Sequence, residues 1–220
     1  MGRKLLARPT SARAVAATLL LPLLLAGGAA SVSLSGRVVS VAGSVRYEEA
    51  DMLWKNVQVG TVLGAHSLLQ TSTSKDSRVD LELVGDDGRG KCTVRLFPNS
   101  VLRLTRMVSK SVGPVSVRDL GLGLAGRILV SLDGPFDYDV ELTGVTDFGI
   151  LARVAFRRKD AASGQTAFLF GRPETLTVIK GSIEARMGTG PQVRVRAGEQ
   201  LRGGEVVQLP PTAPELRLDP

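Results

Sequence analysis

"GLGLAGRILVSLDGPFDYDVEL", residues 121–142, supports two incompatible readings, and choosing between them decides the fold. Gly121, Gly123 and Gly126 fit G-x-G-x-x-G, the phosphate loop of a dinucleotide fold. That loop needs a strand before it, a helix after it whose N-terminus faces the pyrophosphate, and an acid about 20 residues on. The chain beyond Gly126 is strand-like instead. Ile128, Val130 and Leu132 share one parity, and Asp137, Asp139 and Glu141 share a second alternating run. A period of two places successive side chains on opposite faces of a sheet. Glu141 stands near the required distance but belongs to an alternating strand, so no cofactor is predicted here.

The same alternation recurs on either side, in "VSLSGRVVSVAGSVRY" (32–47), "DSRVDLELVGDDG" (76–88), "GKCTVRLFPNSVLRLT" (90–105), "TLTVIKGSIEAR" (175–186) and "PQVRVRAGEQLR" (191–202). Short Val-, Ile-, Leu- and Thr-rich runs closed by Gly, Asn and Asp predict an all-β chain. Helical character is confined to the N-terminus and a turn near "FGILARVAF" (148–156). A loose repeat, "VAGSVR" (41–46), "LAGRIL" (124–129), "IKGSIE" (179–184) and the degenerate "RAGEQL" (196–201), sets a glycine between two strand-like runs. Stacked strand-turn-strand units of this kind build either a twisted β-solenoid or a β-sandwich, and the pattern leaves both open.

The N-terminus orders a basic start (Arg3, Lys4, Arg8, Arg13), an apolar run over 14–25 and small residues. That is the order of a secretory signal peptide, with cleavage expected after Ala30. The run is short for a membrane span, which needs about 20 residues. Removing it leaves 24 basic against 21 acidic side chains, a net +3 instead of +7. The basic excess thus reports export more than nucleic-acid binding. Cys92 is the only cysteine, which excludes an intramolecular disulfide and a cysteine-based zinc cluster, and it is expected in the core. The predicted organisation is a signal peptide (1–30), one β domain (31–208) and an extended Pro-rich tail (209–220).

In order, "VAGSVRY" with Gly43 and Val45, "WKNVQVGTVL" with Trp54, Gly60 and Thr61, and "LLQTSTSKDSRVDLEL" with Thr71 and Ser77 precede "VRLFPNSVLRL" with Pro98 and Ser100. "LGLAGRILVSL" with Gly126, "LTVIKGSIEAR" with Gly181 and "VRVRAGEQL" with Gly198 and Glu199 complete the series. Over residues 37–202 this succession resembles the FecR-type domain of bacterial envelope proteins. One departure stands out: after Thr143 the chain reads "GVTDFGILARVAF" and lacks the family's r-G-T-x-F, keeping only Phe156. The resemblance implies a periplasmic or surface domain described as a twisted, solenoid-like stack of strands, without the cytoplasmic anti-sigma region of the best-known members.

The residues singled out are scaffold positions: Trp54 as an apolar anchor beneath a strand corner, and Gly60, Gly126, Gly181 and Gly198 at turns. His66, the sole histidine, is placed in a surface turn, which rules out a multi-histidine metal site. Asp86 and Asp87 read as a hairpin turn. Arg157 and Arg158, with Arg194 and Arg196 sharing one strand face, form a candidate basic face for an acidic envelope polymer or protein, with a solvated sheet face as the plainer alternative. No catalytic, cofactor or metal constellation is found, and nucleic acid is not an expected partner. The expectation is an exported, non-enzymatic binding or assembly module of the cell envelope, periplasmic or secreted. The alternative is a sensory subunit in an envelope-to-sigma-factor relay, touching the membrane only if the N-terminal segment is uncleaved.

Overall fold

Alternating apolar and polar residues give strand after strand, because each parity finds a different environment. The computed structural model describes residues 31–49, 53–84, 91–112, 115–134, 136–146, 149–158, 164–171 and 175–218. Residues 1–30, Asp86 and Asp87 lie outside them, as do the side chains of 149–158, Arg157 and Arg158 included. The first strands are β1 (Ser31–Ser33), β2 (Ser35–Ala42), β3 (Val45–Glu48), β4 (Lys55–Asn56), β5 (Val62–Leu63) and β6 (Leu68–Thr71). Next come β7 (Arg78–Val84), β8 (Lys91–Leu96), β9 (Val101–Val112), β10 (Val115–Ala125), β11 (Ile128–Asp133), β12 (Asp137–Thr146) and β13 (Gly149–Arg158). The last are β14 (Thr166–Gly171), β15 (Thr175–Lys180), β16 (Ser182–Met187), β17 (Val193–Arg196), β18 (Glu199–Arg202) and β19 (Glu205–Gln208). No α-helix occurs among the described residues.

The strands form two sheets around one core. A ten-stranded sheet runs β17-β16-β13-β12-β10-β9-β6-β3-β4, with β1 added against β9; a nine-stranded sheet runs β19-β18-β15-β14-β11-β8-β7-β2-β5. Leu102, Leu104, Leu120 and Val140 from the first meet Leu81, Val94, Ile128 and Phe168 from the second, all fully buried. Both sheets add strands in the same direction as the chain proceeds, so the molecule is a sandwich laid down as a stack of rungs.

The glycine repeat marks where the chain leaves one sheet for the other. Gly43 joins β2 to β3, Gly126 joins β10 to β11, Gly181 joins β15 to β16, and Gly198 lies between β17 and β18. Strand directions divide these corners between two edges. Crossings at Gly43, 72–77, 97–100 and Gly126 share the first edge; those from β11 to β12, from β13 to β14, at Gly181 and at Gly198 share the opposite one. The change falls at β10 and β12, the one parallel pairing among the described strands. Parallel neighbours require a crossover. Here β11, running in the other sheet, supplies it.

"GLGLAG" therefore ends a strand. Residues 115–125 are β10 and residues 128–133 are β11, with no helix to hold a pyrophosphate. Gly121 sits at a register shift against β9, where a Cβ would lie 3.2 Å from the Arg106 amide nitrogen, so the bulge requires its missing side chain.

Two expectations are corrected. "FGILARVAF" contains no helical turn over its described residues: Gly149–Arg158 is a strand paired on both sides. The tail is not merely extended. Pro214–Arg217 forms a 3-10 turn against β15, and Ala213 is buried.

Candidate binding surface

Trp54 is not a buried anchor. It is 40% exposed on the N-terminal end of the stack, in a segment whose Leu53, Val59 and Val62 are exposed as well. The segment 53–63 crosses that end, and Val57 and Leu63 supply the core contacts assigned to the tryptophan. The indole instead carries a cation on its face, with the Arg46 guanidinium 4.4 Å from the ring centroid. Gly60 occupies the same end with φ +90° and open space around it.

The corner glycines are packed to different degrees. A Cβ on Gly126 (φ +115°) would stand 2.7 Å from Ser100 Cα; on Gly181 it would meet Thr166 Oγ1 at 2.7 Å; on Gly198 only the flexible end of Gln208 at 3.0 Å. His66 lies exposed in the turn between β5 and β6 with φ +74°.

The predicted basic face is an alternating one. Arg194 is exposed, but β16 places Glu184 directly opposite, and the backbone of Arg157 stands between Asp139 and Glu184. Arg196 approaches Glu199 at 4.0 Å, and its backbone N–H donates to Glu199 Oε2 at 2.7 Å. Further along the same sheet, Arg106 bridges Asp119 (2.6 Å) and Glu141 (3.4 Å) while Lys110 holds the second Asp119 oxygen at 2.8 Å. Exposed pairs of this kind stabilise by about 0–1 kcal/mol each. They also neutralise the cations that an acidic partner would need.

Cys92 is fully buried on β8, where burial pushes its thiol up to about 12 and the nearby Arg118 charge opposes the rise only in part. A thiol so protonated at neutral pH is a core side chain and not a nucleophile. Arg118 is itself buried, its guanidinium 4.0 Å from the Phe136 ring and 5.9 Å from Tyr138.

The first corner edge carries a feature that no single motif announced. Successive rungs are tied by hydroxyls: Thr71 Oγ1 donates to Phe97 O at 2.6 Å and accepts from Ser100 N at 3.0 Å, and Ser100 Oγ accepts from Arg127 N at 3.0 Å. Ser77 Oγ likewise accepts from Ser44 N at 3.3 Å and meets Ser72 Oγ at 2.7 Å. On the outer side of this ladder opens a cleft of about 390 Å³. Polar Gln70 and Asn99, apolar Pro98, Val101 and Ala125, and basic Arg127 are among the residues that line it.

One arginine lines the cleft, and a second reaches it through Gln70. Arg127 lies 4.2 Å from the Phe97 ring centroid. Arg46 donates from Nε (2.9 Å) and Nη2 (2.7 Å) to Gln70 Oε1, so one amide links the cleft to the Trp54-backed guanidinium. Neither arginine has a carboxylate partner among the described residues. The arrangement can bind an anion through planar, fixed donors; it brings together no nucleophile and base. No group of three or more His, Cys, Asp or Glu suited to a metal occurs among the described residues.

Sequence reasoning missed Arg46, Gln70, Asn99 and Arg127. The one available signal was "NS" and "GR" at consecutive corners, since Asn99 adopts φ +53° where the chain turns. Set against family models, curated proteins and solved structures, the chain matches none.

Proposed function

We propose that the chain is an exported, non-enzymatic FecR-type domain that binds or helps to assemble a component of the bacterial cell envelope. The ordered succession of motifs from residue 37 to 202 supports the family reading, and the signal-like N-terminus supports export. The observation that carries the binding role is the corner cleft, open to solvent and flanked by two guanidiniums that are stacked on rings and unmatched by carboxylates among the described residues. Fixed, unneutralised donors around a concavity favour a ligand over a purely structural use.

The test is site-specific photo-crosslinking in intact bacterial cells, with the probe at Asn99 in the cleft or at Glu205 on β19, followed by mass spectrometry of the adduct and of the chain's N-terminus. An envelope polymer or envelope protein captured from Asn99 but not Glu205, on a chain beginning near Ser31, supports the proposal. Equal capture from both positions, or capture of cytoplasmic proteins alone, overturns it. A chain that keeps residues 19–25 and captures an inner-membrane regulator would replace it with the sigma-relay reading.

A further inference from the structure

We infer that the corner cleft is a saccharide site, and that it takes an anionic oligosaccharide whose carboxylates are held by Arg127 and Arg46. The inference rests on the binding role proposed above and names its ligand class.

Charge sets the ligand's sign. Arg127 and Arg46 flank the cleft with no acid beside them among the described residues, whereas the arginines of the alternating face stand opposite Glu184 and Glu199. Each guanidinium is already ordered, Arg127 on Phe97 and Arg46 between Trp54 and the Gln70 carbonyl, so little side-chain freedom is lost when an anion binds. Their planar forks match a carboxylate in two parallel hydrogen bonds.

The lining between them suits a sugar. The Asn99 amide can offer a donor and an acceptor to hydroxyls and the Gln70 amide its NH2, its oxygen being held by Arg46, while Val101 and Ala125 provide a floor for the C–H face of a ring. A peptide adding as a strand is disfavoured, because the main chain at the rim is already bonded: Thr71 N to Ser100 O, Asn99 N to Ser72 O and Phe97 N to Arg127 O. Recognition must go through side chains. Arg46 and the Ala125 row lie three strand spacings apart, about 14 Å. An oligomer, not a monosaccharide, spans that interval.

The experiment is calorimetric titration of the purified full-length protein at low salt with trigalacturonate, its fully methyl-esterified form and a tri-aspartate peptide. The expected result is saturable binding of trigalacturonate alone, weakened at least about tenfold in Arg127→Gln, severalfold in Arg46→Gln and not at all in Arg194→Gln. Should Arg127→Gln unfold, Ala125→Leu fills the cleft with every arginine in place and is expected to abolish binding. Affinity that survives both substitutions, an ester that binds as well as the acid, or a peptide that binds better than the sugar overturns the inference. In that event capture of an envelope component from Asn99 still sustains the broader proposal, and loss of that capture removes both.

Discussion

At the first corner edge the glycines rest on hydroxyls that are themselves bonded to the next rung: Gly126 over Ser100, which accepts from Arg127 N, and Gly43 over Ser77, which accepts from Ser44 N. At the second edge Gly181 rests on Thr166 in the same way, yet Thr166 Oγ1 is fully buried and makes no hydrogen bond. Gly198, its neighbour there, faces only the Gln208 side chain, and that corner is held by main-chain bonds from Ala197 N to Gly181 O and Gly198 N to Val178 O and by Gln208 Nε2 donating to Gly198 O at 2.9 Å. One packing device thus serves both edges, but among the described residues only the first carries a hydroxyl ladder beneath its glycines; at the second, Gln165 Nε2 donates to Ser131 Oγ (2.8 Å) and Lys180 Nζ to Gln165 Oε1 (2.9 Å). The edge with the ladder is also the edge with the cleft.

Substitutions can break this contrast in graded steps, each read by chemical denaturation. Gly126→Ala is expected to cost most, roughly 3–5 kcal/mol, since a strained φ adds to a clash with Ser100 backbone; a loss under about 1 kcal/mol would mean the corner relaxes freely. Ser100→Ala leaves the Arg127 amide without its acceptor and should cost about 1–3 kcal/mol. Gly198→Ala meets only a flexible side chain, so the positive φ alone should cost about 1 kcal/mol. Equal losses at Gly126 and Gly198 would erase the distinction between the edges. Thr166→Val should be smallest, about zero or slightly stabilising, because it removes a buried hydroxyl that bonds nothing. A cost like that of Ser100→Ala would show that the Thr166 hydroxyl is bonded after all.

Much of the architecture is legible in the residues themselves. The period-two runs are strands, and the four glycine repeats all fall where the chain changes sheets, because the crossing takes a positive φ at the same place each time. Pairing is harder to see. Parity along β17 puts Arg194 and Arg196 on one face, but it cannot say that Glu184 lies across from one and that Glu199 turns back on the other. Trp54 misleads because residue type is a poor guide to depth at the end of a stack, where no further rung covers the ring and Val57 takes the interior place. The cleft is beyond reach for a related reason. Gln70, Asn99 and Arg127 belong to successive corners and meet only after the rungs are laid side by side.

The change of edge at the β10·β12 parallel pair has a consequence for how the chain can vary in length. Beyond it the protein proceeds by hairpins, β12–β13, β14–β15, β16–β17 and β18–β19, each joined to the next by a second-edge corner. In such a series each unit leans mainly on its immediate neighbours. Hairpins gained or lost at that end would lengthen or shorten the body while leaving the first-edge crossings at Gly43, 72–77, 97–100 and Gly126, with their bonded hydroxyls and two ring-stacked arginines, in place.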